Sequence, residues 1–180
     1  AAASALFMEK GITTTTMNDI AKTAGYSKAT LYVYFENKEE IISFLVLDSM
    51  KKLYSYITSA LEQQEATKTR YDLICQGLVL YQEEFPIYFK MVLDKINIDF
   101  ESRKFLPEEK ETYLIGEEIN EKLKDFLISG TKKGDLRDDL KIMETIFHFW
   151  GMISGLIQLA ANKEEYIENV MHLSKNQFLE

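Results

Sequence analysis

The sequence predicts an all-α protein of about nine helices, with an N-terminal three-helix head of helix-turn-helix type and a C-terminal helical body. Three observations carry this. Apolar residues recur at i, i+3, i+4 and i+7 through most of the chain, the spacing that lines one face of a helix. No segment keeps the period of two expected of a strand. Two prolines and eight glycines in 180 residues leave room for long helices, and candidate caps stand where the periodic segments begin and end. The head is placed at residues 1–46 and the body at 47–180.

Ala1 to Lys10 reads as the first helix, apolar at Ala2, Ala3, Leu6 and Phe7 and stopped by Gly11. Thr13 to Thr16 is a β-branched, hydroxylated run, poor inside a helix and good at a cap. Met17, Ile20, Ala21 and Ala24 line one face of the second helix. Thr16 suits its N-cap, Asp19 stands in the capping-box position, and Gly25 ends it. Ser27 suits the cap of a third helix, whose Leu31 and Phe35 share a face. Two short helices joined by a glycine-bearing turn make a helix-turn-helix, which lays its second helix in the DNA major groove.

A fourth helix is expected from Lys38 to about Gln63, with Ile42, Leu45, Val46, Ser49, Leu53, Tyr56, Ile57 and Ala60 at helical period. At 1.5 Å per residue it spans roughly 35–40 Å, enough to connect head and body as a lever. Glu65 to Thr69 is a polar connection. Tyr71, Ile74, Cys75, Leu78, Gln82 and Phe85 mark the fifth helix, and Pro86 opens a sixth that runs to about Ile96. Asn97 to Pro107 reads as a loop. Glu108 to Lys133 forms the seventh, with Ile115, Ile119, Leu123, Phe126 and Leu127 inward and Gly134 stopping it. Asp138 or Asp139 is expected to cap the eighth, the most apolar segment, running to about Ala161. Glu144, His148 and Gln158 interrupt it, so it is not taken as a membrane span. Asn162 with Glu165 is expected to cap a ninth, Glu164 to about Phe178, with Val170 and Met171 on its apolar face.

Charge constrains the partners. The chain carries −8, which opposes DNA binding, but residues 1–38 hold four lysines against three carboxylates. The head is therefore +1 and the rest −9, so attraction to phosphates must come from a few placed donors and not from a basic field. Cys75 is alone, which excludes a disulfide or a cysteine metal site within one chain and fits a cytoplasmic location. Ala1 to Met8 is too short for a secretory signal and is followed at once by Glu9 and Lys10. No metal or cofactor site is expected.

The motif is closer than a generic helix-turn-helix. Threonines precede Ile20-Ala21-x-x-Ala24-Gly25, followed by Ser27-x-x-Thr30-Leu31-Tyr32-x-Tyr34-Phe35 and Asn37-Lys38-Glu39, with Phe7 and Gly11 upstream. This resembles the signature of the tetracycline-repressor (TetR) family of transcriptional regulators over about 38 residues; the remainder resembles it in length, helical content and a closing apolar helix pair. Tyr26 stands where a small aliphatic is usual, and Ala29 where glycine is common. The resemblance implies a homodimeric, sequence-specific regulator, by default a repressor. It would leave its palindromic double-stranded operator when a small effector enters the helical body.

The expected DNA contacts are Thr16, Asn18, Lys28, Ala29, Thr30, Tyr32, Tyr34 and Lys38. Lys28 has the chemistry to donate to guanine or to a phosphate, and Asn18 to read adenine bidentately. Ala29 or the Thr30 methyl suits a thymine methyl. The Tyr32 and Tyr34 phenols suit backbone oxygens, although both rings could equally pack within the head. Lys38, at the start of the fourth helix, is expected to clamp a phosphate.

Dimerisation is expected through the last two helices. Trp150-Gly151-x-x-x-Gly155 puts small residues on one face for close approach, with Ile153, Leu156, Leu159, Val170 and Met171 beside them. The effector, largely apolar or aromatic, is expected to meet Tyr81, Tyr88, Phe89, Met91, Tyr113, Phe147, His148, Trp150 and Met152, residue types that also serve as ordinary core. The alternative is a DNA binder controlled by a protein partner, or an architectural binder with no small ligand. An enzyme is disfavoured: His148 and His172 have no evident triad partners, and no P-loop, zinc-protease, nucleophile-elbow or dinucleotide fingerprint occurs.

Overall fold

The structure, a computed structural model, describes residues 1–63, 65–93 and 106–179. Among them there are helices and connections but no strand. The order is α1 (Ala2–Lys10), α2 (Met17–Thr23), α3 (Lys28–Tyr34), α4 (Lys38–Leu61), α5 (Thr67–Glu84) and α6 (Pro86–Leu93). It continues with α7 (Pro107–Lys133), α8 (Ile142–Asn162), α9 (Glu164–Tyr166), a π-helical turn (Ile167–Met171) and α10 (Lys175–Leu179). The expected end of the sixth helix and most of the Asn97–Pro107 loop lie outside the described residues.

The described residues group into two units. The first draws on 1–52 and 85–116, the second on 53–84 and 117–180, so α4 and α7 each contribute to both. The core of the first unit is Ala3, Leu6, Phe7, Met17, Ile20, Ala21, Leu31 and Ile41, with Phe35, Ile42, Leu45 and Ile87 packed against it. Ile87 belongs to α6, so the helix-turn-helix shares its core with a helix from much later in the chain. In the second unit Tyr71 and Phe149 meet edge to face at 5.9 Å between α5 and α8. The Trp150 indole donates to Asn120 Oδ1 on α7 at 3.1 Å. Lys175 on α10 pairs with Glu83 at 2.6 Å.

Helix ends follow local chemistry where a cap exists. Gly11, Gly25 and Gly134 stop α1, α2 and α7 at φ of 85°, 75° and 78°, a region that glycine enters without a Cβ penalty. Elsewhere the expectations fail. Helix α8 starts at Ile142 from an N-cap, Lys141, that makes no side-chain cap, because Asp139 is engaged with Arg137 instead. Asn162 does not cap the next helix: it ends α8, its Oδ1 accepting from Gln158 at 3.0 Å. The ninth helix is not continuous to Phe178. It widens into a π turn at Ile167–Met171 and breaks at His172, whose φ of 57° is left-handed. Ser174 and Gln177 then form a capping box for α10, Ser174 N donating to Gln177 Oε1 at 2.9 Å and Gln177 N to Ser174 Oγ at 3.3 Å.

The buried face of α4 is also turned from the expected one near its start. Ile41, Ser43, Leu47 and Met50 are buried, while Ile42, Leu45 and Val46 are half-buried. From Leu53 through Ile57 to Ala60 the expected and observed faces coincide.

Candidate nucleic-acid interface

The threonine run is a connector in which nearly every hydroxyl has an assigned bond. Thr14 Oγ1 donates back to Lys10 O and, at 3.2 Å, to Gly11 O. Thr15, only 1% exposed, donates to Gly11 O at 2.8 Å and reaches Leu6 O at 3.4 Å. The bonds to Lys10 O and Gly11 O satisfy carbonyls that the end of α1 leaves without helical partners. Thr16 serves the other side. Its Oγ1 accepts from Asp19 N at 3.2 Å, and Asp19 Oδ2 accepts from Thr16 N at 3.0 Å and from Thr16 Oγ1 at 2.7 Å. The Thr16 hydroxyl and amide together hold the Asp19 carboxyl below its ordinary pKa.

Helix α3 opens with an equally local cap. Thr30 N donates to Ser27 Oγ at 3.0 Å, and the two hydroxyls lie 2.8 Å apart. Leu31 is the one α3 residue fully inside, and Phe35, just past the helix end, meets Phe44 edge to face at 5.8 Å. The opposite face is bare: Lys28, Ala29, Tyr32, Val33 and Tyr34 are exposed, Val33 by 79% and Tyr34 by 72%. Lys28 Nζ rests over the Tyr32 ring at 5.7 Å, an i, i+4 cation–π pair that aligns the two side chains. Tyr26 in the turn is exposed by 62%.

The expected contacts therefore divide. Asn18, Lys28, Ala29, Tyr32 and Tyr34 are exposed on α2 and α3. Thr16 and Thr30 are exposed or half-exposed, with hydroxyls already engaged in the two caps. Lys38 is a correction. Its ammonium donates to Ile12 O at 2.8 Å and Thr15 O at 3.0 Å and lies 3.5 Å from Thr13 O, so it is engaged by main-chain carbonyls of the α1–α2 connection. Lys38 fixes where α4 leaves the head. Val33 and Tyr26, to which the sequence reading assigns no contact, are exposed beside the expected contacts. Val33 falls one turn after Ala29 on the same exposed face, a signal the helical spacing already contained.

A family profile, "Bacterial regulatory proteins, tetR family", matches residues 1–43. Over those residues the chain is similar to the tetR family. The TetR match covers the three helices of the head and the start of α4. Among curated proteins, the regulator TtgR of Pseudomonas putida is 31% identical over 93 residues, 52% of this chain and 40% of TtgR. The repressor KstR2 of Rhodococcus jostii is 28% identical over 160 residues, 82% of this chain and 70% of KstR2. The chain thus spans about 40% of the first of these relatives. The crystal structure of PfmR from Thermus thermophilus superposes with a TM-score of 0.70 at 28% identity, covering 87% of this chain and 81% of PfmR.

The other candidate residues fall as follows. In the first unit Tyr88 and Phe89 are buried at 4% and 2% exposure, and Met91 and Tyr113 are half-buried. Burial pushes the Tyr88 phenol pKa up, against a smaller opposing effect of the Ser4 hydroxyl. In the second unit Tyr81 is buried and Trp150 half-buried. Phe147, His148 and Met152 lie on the outer face of α8, Phe147 by 65% and Met152 by 70%, so they do not line an interior cavity of this chain. Gly151, Gly155, Leu156 and Leu159 share that outer face, Ile153 is half-buried, and Val170 and Met171 are exposed on the π turn. A Cβ added at Gly151 or Gly155 would meet nothing within 4 Å.

Proposed function

We propose that this chain is a dimeric TetR-type transcriptional regulator that reads a two-fold DNA site with α2 and α3, works in the cytoplasm, and represses until a small apolar or aromatic effector releases it. The observation that carries the reading is the doubly capped helix-turn-helix, with an uncovered α3 face on the residues the family profile matches. Lys28, Ala29, Tyr32 and Val33 are the side chains on that face for base edges, Asn18 contributes from α2, and Tyr34 is placed for a phosphate. Residues 1–46 act as the DNA-binding domain and 47–180 as the regulatory and dimerisation body, with α4 as the link.

One head contacts too few bases for specificity, so a second copy is needed. Helix α8 supports it. The helix is long and apolar enough to cross a membrane by length and composition, yet its other face packs on α5 and α10. Its outer face carries Met143, Phe147, Met152, Leu156 and Leu159 around two glycines with open space above them. Two such faces suit an isologous two-fold interface. The test is a pair of measurements on Leu159→Glu. Light scattering should give a dimer for the wild type and a monomer for the variant, and operator affinity should fall more than tenfold. A monomeric wild type that still binds DNA specifically would sink the reading.

A further inference from the structure

The bare face of α3 is apolar at its centre. At about 100° per residue, Ala29 and Val33 stand opposite Leu31, the buried residue of this helix, with Lys28 and Tyr32 on one side and Thr30 and Tyr34 on the other. Val33, exposed by 79%, is the most exposed large hydrophobic side chain among the described residues. Ala29, one turn earlier, is exposed beside it. Neither belongs to the core of the head. A β-branched residue on a bare helix surface lowers helix propensity and leaves apolar area in water, so the isolated chain gains nothing from valine there. Two of the flanking polar groups are already engaged. The Thr30 hydroxyl lies 2.8 Å from Ser27 Oγ within the α3 cap, and Thr30 is half-buried. The Lys28 ammonium stands 5.7 Å from the centre of the Tyr32 ring, which keeps the cation to that side of the face.

We propose that Ala29 and Val33 make α3 a reader of thymine methyl groups, with Val33 the residue that fixes one thymine in each half-site. In the major groove thymine alone of the four bases presents a methyl; the other edge positions are hydrogen-bond donors and acceptors. Val33 therefore selects twice. Packing its methyls on the thymine C5-methyl removes apolar surface from water. Setting them against the amino group of cytosine or adenine, or against guanine O6, would leave that polar atom dry and without a partner. The side chain is also stiff, because valine in a helix is held to one χ1 rotamer, so the contact loses little freedom on forming. This inference rests on the DNA-binding reading above and names the base edge that reading leaves open.

The experiment starts from the duplex that the full chain selects out of a randomised pool. Each thymine is replaced in turn by deoxyuridine, which removes the methyl and keeps the base pair. Affinity is measured at one salt concentration for the wild type and for Val33→Ala, a change at an exposed position to a better helix former. Burying one methyl-sized group corresponds to about a fourfold change in affinity. In the wild type, deoxyuridine at one thymine of each half-site should weaken binding about fourfold, and replacing both should weaken it about tenfold or more. Val33→Ala should bind the thymine duplex more weakly and respond to the same replacements by less than about twofold, because the methyl has lost its partner. Half-sites with no required thymine, tolerance of deoxyuridine at every position in the wild type, or an equal penalty in Val33→Ala would each overturn the proposal while leaving specific DNA binding in place. Selection of no duplex at all would overturn the DNA-binding reading and the proposal with it.

Discussion

Replacing Lys38 by Met keeps the length and much of the packing of the side chain and removes its three donors. Two of the bonds lost are of good length, 2.8 Å to Ile12 O and 3.0 Å to Thr15 O; the third, at 3.5 Å, is counted as nothing. A bond from a charged donor contributes about 1.5–3 kcal/mol. Ile12 is half-buried, so water can recover part of the loss there, while Thr15 is buried and its carbonyl is left unpaired; the two together should cost about 2–3 kcal/mol. For a chain of this size that corresponds to a fall in melting temperature of roughly 5–10 °C. DNA affinity should fall as well, because the connection that orients α2 loosens. The salt dependence of binding should nevertheless keep its slope, since no phosphate contact is removed; a lost phosphate contact lowers it by about 0.9. Calorimetry and binding titrations at several salt concentrations measure both quantities on the same preparation. An unchanged melting temperature with a slope reduced by about one would refute the assignment and return Lys38 to the DNA backbone.

Two further outcomes follow from local geometry. The folded-state pKa of Asp19 is lowered by Thr16, so its stabilising effect is fully present above the unfolded value of about 3.9 and is lost as pH falls through the lower folded value. Wild type and Asp19→Asn should therefore differ in denaturation midpoint at neutral pH and converge in acid; a constant difference would refute the capping account. Gly130→Ala would gain about 1 kcal/mol of helix propensity. Its Cβ, however, would stand 2.7 Å from Leu136 Cδ1 and 3.1 Å from Thr67 Cγ2, and the Thr67 hydroxyl is fixed by Asp135 at 2.6 Å. Overpacking of this kind costs about 1–3 kcal/mol, so urea denaturation should show a net loss near 1 kcal/mol, and a stabilised variant would contradict the packing.

The head was legible in the sequence because its determinants are local. Thr16 with Asp19, Ser27 with Thr30 and the glycine stops each act within three or four residues. Lys38 was misread because its partners lie 23 to 26 residues upstream, beyond any periodic signal. On α8 both faces are apolar, and hydropathy cannot distinguish a face that packs inside the chain from one that faces outward. Phe147 and Met152 were therefore assigned to a pocket while they stand on the surface beside Gly151 and Gly155. Asp139 and Asn162 look like caps in sequence and are diverted by Arg137 and Gln158.

The central claim is that the exposed face of α3, repeated in two copies, reads a two-fold DNA site. Selection of bound duplexes from a randomised pool tests it most directly, with the wild type and with Lys28→Ala run in parallel. The account predicts enrichment of an inverted repeat whose half-sites lie about one helical turn, ~34 Å, or a multiple of it apart. In the Lys28→Ala pool the preference should change at the same position in both halves. No enrichment, or a preference untouched by Lys28→Ala and by a change at Val33, would contradict it.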